Sequence, residues 1–239
     1  MDPRKSYLLS WHPHAFVPAL QVTAMLPALF SEQLAAALPG GQVPVAFPGL
    51  DVLVATKPAF FLLPVLREVA LALGFISCSE RSLRHALRLP GKAVLLMTGA
   101  VQEVFRTRGD TNVFCLQRRG FCRVALAEGA SLVPVVVLGE NRGYRMLLPD
   151  AMEWLHSATG WRAVLPMGRG VLQDYVGVMP RRVPITVVVG APIEVTATRS
   201  PSRQQVAALH ASFVDAVRRL YDEHAPAHYK EHVPLVIET

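Results

Sequence analysis

Residues 6–14 read Ser-Tyr-Leu-Leu-Ser-Trp-His-Pro-His, a short apolar run that stops at a histidine-proline-histidine triplet. The run 7–11 lacks polar–apolar alternation, which suits a strand covered on both faces rather than one with a wet side. Four more runs rich in Val and Leu follow at 52–56, 93–97, 132–138 and 185–189. Between them, the spacing of apolar residues predicts helices over 59–73, 82–89 and 120–128, the last closed by Gly129. The clearest helix is 203–224. Ser202 and Gln205 have capping-box spacing, Val206, Leu209, Phe213, Val217 and Leu220 form one stripe, and Pro226 is expected to end it. Strands alternating with helices predict an α/β fold, a mixed, mostly parallel sheet flanked by helices. The only linker-like stretch, Arg199-Ser-Pro-Ser202, is too short to separate domains, so residues 1–239 are expected to form one.

Composition narrows the class. Hydrophobic residues make up 51% of the 239 positions and charged ones 18%, which excludes a disordered or collagen-like chain. A mean hydropathy of +0.32 leans toward membrane association. The stretch 6–31 holds no charged residue, yet it contains three prolines, and its best apolar core, 15–30, is 16 residues long. A bilayer span needs about 20. A helix lying in the membrane interface stays open, and Met1-Asp-Pro-Arg-Lys does not begin a secretory signal.

Basic residues outnumber acidic ones 24 to 18, and 20 of the 24 are arginine. They are scattered, in pairs at most, which argues against DNA or RNA as a partner. Cys78, Cys115 and Cys122 are odd in number and lack C-x-x-C spacing, so neither a disulfide framework nor a zinc site is indicated.

Candidate chemistry sits at predicted strand ends, where α/β sheets place their ligands. His12 and His14 follow the first strand, with Pro13 stiffening the turn between them; a histidine there suits a general base. Glu103 follows the strand 93–97 and the small-residue turn Thr98-Gly99-Ala100, where a carboxylate can orient a histidine. Arg118 and Arg119 precede a helix, an arrangement that favours a bound anion such as phosphate, and Arg169 lies between two glycines in a loop. Gly139, Glu140 and Asn141 follow the strand 132–138 and are candidates to line the site. No G-x-S-x-G elbow, P-loop or H-E-x-x-H motif is present.

Taken in order, these pieces resemble the type-2 diacylglycerol acyltransferase family, which includes monoacylglycerol and wax alcohol acyltransferases. SYLLSWHPHA resembles the family's strand leading into His-Pro-His-Gly, and FLLPVLREVALALGFISCSERSL its proline-led helix and serine turn. TGAVQE resembles Pro-Gly-Gly-Val-Gln-Glu, and NVFCLQRRGFCRVALAEGASLVPVVVLGEN the family's longest block. MGRG and VPITVVVGAPIEV complete the order. The resemblance implies a glycerolipid acyltransferase-like fold and acyl-CoA-dependent esterification of a hydroxyl on a neutral lipid. Diacylglycerol is the expected acceptor, with monoacylglycerol or a fatty alcohol, or a non-catalytic lipid-binding role, as alternatives.

On this resemblance His14 is expected to be the base, His12 to support the loop and Glu103 to orient the histidine. Arg118, Arg119 and Arg169 are expected to meet the phosphates of acyl-CoA, which enters as co-substrate; no metal or resident cofactor is implied. A membrane surface is the implied partner, at the cytosolic face of the endoplasmic reticulum and on lipid droplets. Ala15 and Ala100 replace family glycines. Relatives carry a hydrophobic segment ahead of the first strand, whereas here Met1 stands almost at it, as expected of a fragment or a peripheral form.

Overall fold

The run 7–11 forms strand β1 (Tyr7–His12), whose six residues are all buried. The computed structural model describes residues 1–14, 47–106, 108–160, 165–171, 173, 176–177 and 179–239. The apolar stretch 15–30 and Ala15 lie outside the described residues. Around β1 stand β2 (Asp51–Thr56), β3 (Phe75–Ser77), β4 (Lys92–Leu96), β6 (Ser131–Leu138) and β9 (Thr186–Val189), in the order β3-β2-β4-β1-β6-β9. All neighbours are parallel except β6 and β9, so the sheet is mixed and mostly parallel, as predicted. Tyr7 pairs with Ala93 and Ser131, and His12 with Val136. Because β4, β1 and β6 run the same way, their carboxyl ends open on one edge, with β1 in the middle.

Side chains alternate across β1. Leu8 joins Val94, Leu132 and Val136 against helix α4 (Gly120–Glu128) and helix α6 (Arg203–His228), through Phe121, Val124, Phe213 and Val217. On the opposite face Tyr7, Leu9 and Trp11 pack with Val52, Val54, Leu95 and Val135. Ser10 and His12 share the face of Leu8, so an imidazole at the strand end is directed under the helical layer. Burial on both faces accounts for the unbroken apolar runs of β1 and β6, whereas β9, at the sheet edge, is half exposed.

The remaining described helices are α1 (Pro64–Ala72), α2 (Glu80–Leu87), α3 (Ala100–Arg106) and α5 (Pro149–Thr159). The helix predicted over 59–73 is two pieces, a 3-10 turn (Pro58–Phe61) and α1. Pro64 forces the break: it has no N–H to donate, and it pushes Leu63 to an extended conformation (φ −94°, ψ 119°). Helix α2 starts two residues earlier than predicted, because the Ser79 hydroxyl accepts from the Ser82 N–H and so caps it.

The Ser202–Gln205 capping box is formed, with Gln205 N–H donating to Ser202 Oγ at 3.1 Å and Ser202 N–H to Gln205 Oε1 at 2.8 Å. Pro226 does not end α6, which continues to His228. One lost hydrogen bond in the last turn is a small penalty beside the burial of Ala225 and Tyr229 on either side. Strand β5 (Asn112–Cys115) pairs in parallel with β10 (Leu235–Glu238), and β7 (Arg145–Met146) with β8 (Pro166–Met167) in antiparallel fashion. No described helix is long and apolar enough to cross a membrane.

Candidate active site

Glu103 lies in the first turn of α3, just past the end of β4, and is fully buried. Three donors converge on it. His12 Nδ1 lies 2.8 Å from Oε1, the Cys115 N–H donates to the same oxygen at 2.8 Å, and the His14 N–H donates to Oε2 at 2.6 Å. An ionised carboxylate only accepts, which fits a group met by donors on both oxygens. With Nδ1–H donating to Glu103, Nε2 of a neutral His12 is an acceptor for the hydroxyls of Thr98 (2.7 Å) and Ser10 (3.1 Å). Phe114 covers the ring, its centroid 5.5 Å away.

Both nitrogens of His12 are therefore engaged inside the core. His14, two residues on across the cis peptide of Pro13, is only half-buried. The structure thus places Glu103 against the ring of His12 and against the backbone of residue 14. A carboxylate at 103 was expected to orient a histidine; it holds the ring of His12, and a contact to residue 14 runs through the main chain. This follows from strand geometry, since His12 is the last β1 residue and points to the face on which α3 begins.

Gly99 sits against the same group: a Cβ there would overlap the Glu103 carboxyl. Gly139 has φ +88°, and a Cβ on it would strike the carbonyl of Pro184 and lie 2.8 Å from His228 Nε2. Glu140 and Asn141 begin the 3-10 turn that follows β6, and both are buried. Asn141 is structural: its Nδ2 donates to the Arg108 carbonyl at 2.9 Å. Burial pushes the Glu140 carboxyl up to about 8; the Trp11 side chain, hydrogen-bonded to it, opposes this and the charge of Glu103 adds to it.

Cys115 lies beside Glu103, but burial and that negative charge push its thiol up to about 12. At neutral pH it is a thiol and no nucleophile. All three cysteines are free.

The arginines are placed apart from this cluster. Arg118 and Arg119 are exposed at the N-terminus of α4. They follow Cys115 by three and four residues, so the chain keeps them within about 15 Å of it. Arg169 is spent on structure, its Nε and Nη1 donating to the carbonyls of Pro180 and Gly170.

Sequence reasoning missed Ser10, Thr98 and the Cys115 N–H. Ser10 carried a signal, a hydroxyl in a buried strand two residues before His12 and so on its face. The other two depend on packing between separate elements.

The profile of the family described as Diacylglycerol acyltransferase matches residues 1–238. The mouse 2-acylglycerol O-acyltransferase 1 is 30% identical over 250 residues, covering 100% of this chain and 71% of the relative. Diacylglycerol O-acyltransferase 2B of Umbelopsis ramanniana is 31% identical over 246 residues, 98% of this chain and 67% of the relative. The mouse acyl-CoA wax alcohol acyltransferase 2 is 31% identical over 179 residues, 71% of this chain and 54% of the relative. No solved structure matches the chain. With a family match along nearly its whole length, the chain belongs to the diacylglycerol acyltransferase family and is an acyltransferase.

Proposed function

We propose that the enzyme transfers the acyl group of acyl-CoA to the free hydroxyl of diacylglycerol, giving triacylglycerol, with His14 as general base. One observation carries the assignment of the base. The buried carboxylate of Glu103 holds the ring of fully buried His12 and the backbone of His14, and residue 14 is only half-buried, which supports its imidazole as the base. The His14 ring takes the acceptor's proton as its oxygen attacks the thioester carbonyl; the C–S bond then breaks, and the imidazolium returns the proton to the departing thiolate. Arg118 and Arg119, exposed near the same sheet edge, meet the phosphates of coenzyme A. The chemistry calls for no resident cofactor.

Monoacylglycerol is the second reading of the acceptor, favoured by mouse and human 2-acylglycerol O-acyltransferase 1, whose matches cover 100% of this chain. Purified protein given labelled oleoyl-CoA with diacylglycerol, monoacylglycerol or fatty alcohol in separate micelles decides between them. Label in triacylglycerol supports the first reading; label in diacylglycerol alone, formed from monoacylglycerol, replaces it with the second. A water-insoluble acceptor places the enzyme at a membrane surface, for which we propose the cytosolic face of the endoplasmic reticulum and lipid droplets. Exposed apolar side chains at Leu62 (80% exposed), Leu63 and Val65 (77%) support that placement.

A further inference from the structure

The proposed reaction leaves one buried acid at the strand ends unused among the described residues, Glu140. Its position is fixed by the turn that carries it. The Gly139 N–H donates to Tyr229 Oη at 2.9 Å, and Asn141 Nδ2 holds the Arg108 carbonyl. Residue 139 is a glycine in a left-handed conformation, where a side chain would strike Pro184 and His228. The Glu140 side chain is therefore held inward beside β1. Trp11 alone is shown to favour its charged form, and Oε2 is buried with no partner.

A carboxylate with one donor and a bare oxygen is costly in such a place, whereas a protonated acid needs far less. Glu103 is the opposite case, with donors on both oxygens. The strands that lead to them, β4 and β6, flank β1 on either side, so the two acids approach the same strand end, and the charge of Glu103 acts on Glu140.

We propose that Glu140 is a positioning residue, the neutral half of a buried acid pair. It keeps its proton so that Glu103 alone carries negative charge and holds its grip on His12 and the His14 N–H. The raised proton affinity of Glu140 agrees with this. Among the described residues, Trp11 and Glu103 are the side chains shown to act on it. From β1 comes Trp11, which does not titrate, with His12 beside it bound to Glu103; from α3 comes Glu103. On its own turn Arg142 is directed away, paired with Glu231 and lying over the ring of Tyr229. When Glu140 ionises, a second negative charge appears beside Glu103, and the hold on the histidine turn weakens.

The consequence for turnover rests on the reading of His14 as base; the consequence for stability does not. Glu140 holds its proton in the folded state up to about pH 8, whereas its ordinary value is 4.5. The unfolded chain releases that proton within this window, so stability falls as pH rises from 4.5 toward 8 and levels off above it. E140Q lacks this titration. Its melting temperature minus that of the wild type should therefore grow between about pH 5 and about pH 8, then stay flat. In acyl transfer from oleoyl-CoA to diacylglycerol, the alkaline limb of the wild-type kcat profile should lie near pH 8 and move up by about one pH unit or more in E140Q.

A melting difference independent of pH, or an alkaline limb that E140Q does not move, overturns the proposal. Should E140Q fail to fold, NMR of the wild type with 13C-labelled Glu carboxyls needs no variant. A resonance titrating near pH 8 supports the pair, and the absence of any titrating above about pH 6 overturns it. A rising melting difference with no transfer to any acceptor marks failure of the functional reading alone. Transfer with a flat difference marks failure of the pair alone.

Discussion

His12 and His14 differ in what their removal exposes. His12→Ala takes the ring away from Glu103 Oε1 and from the hydroxyls of Ser10 and Thr98, which keep only each other, all inside the core. Breaking a buried, hydrogen-bonded pair of this kind costs about 3–5 kcal/mol. His14→Ala keeps the backbone N–H that Glu103 accepts, so its stability should stay within about 1 kcal/mol of the wild type. Urea denaturation of both variants checks this, and an equal loss in the two would contradict the division of roles. The candidate residues were legible because an imidazole pair and a lone acid stand out at the ends of apolar strands. Which imidazole the acid holds was not, since that contact joins residues 91 positions apart and depends on where α3 docks.

At the scale of elements, continuous Val- and Leu-rich runs marked the strands well, because burial on both faces leaves no polar alternation to mislead. Short pieces such as β3, β5 and β10 were not legible. Three or four residues carry no period of their own, and β5 and β10 become strands only by pairing with each other. Proline erred in both directions. Pro64 split a predicted helix while Pro226 failed to stop one, the difference being whether the flanking residues have a core to enter. The split leaves Leu62, Leu63 and Val65 exposed at the start of α1. If this edge meets the membrane, the wild type should sediment with liposomes and the double variant Leu62→Glu, Val65→Glu should be released, its partition falling about tenfold or more. Equal sedimentation of the two would remove this element from the membrane contact.

For the whole molecule, the parallel arrangement of β4, β1 and β6 brings the His-Pro-His turn, the start of α3 and the Glu140 turn to one edge. The order of strands and helices was enough to expect that edge, because ligand sites of open α/β sheets gather at strand carboxyl ends. The family makes the chain an acyltransferase, and the buried carboxylate fixes the turn at this edge. The most direct test is steady-state transfer of a labelled oleoyl group to diacylglycerol by the wild type and His14→Ala, both confirmed folded. Loss of a general base should lower kcat about a hundredfold or more. KM for oleoyl-CoA should change less than about threefold, because the thioester's binding groups are untouched. A His14→Ala enzyme turning over at the wild-type rate would contradict the role of His14.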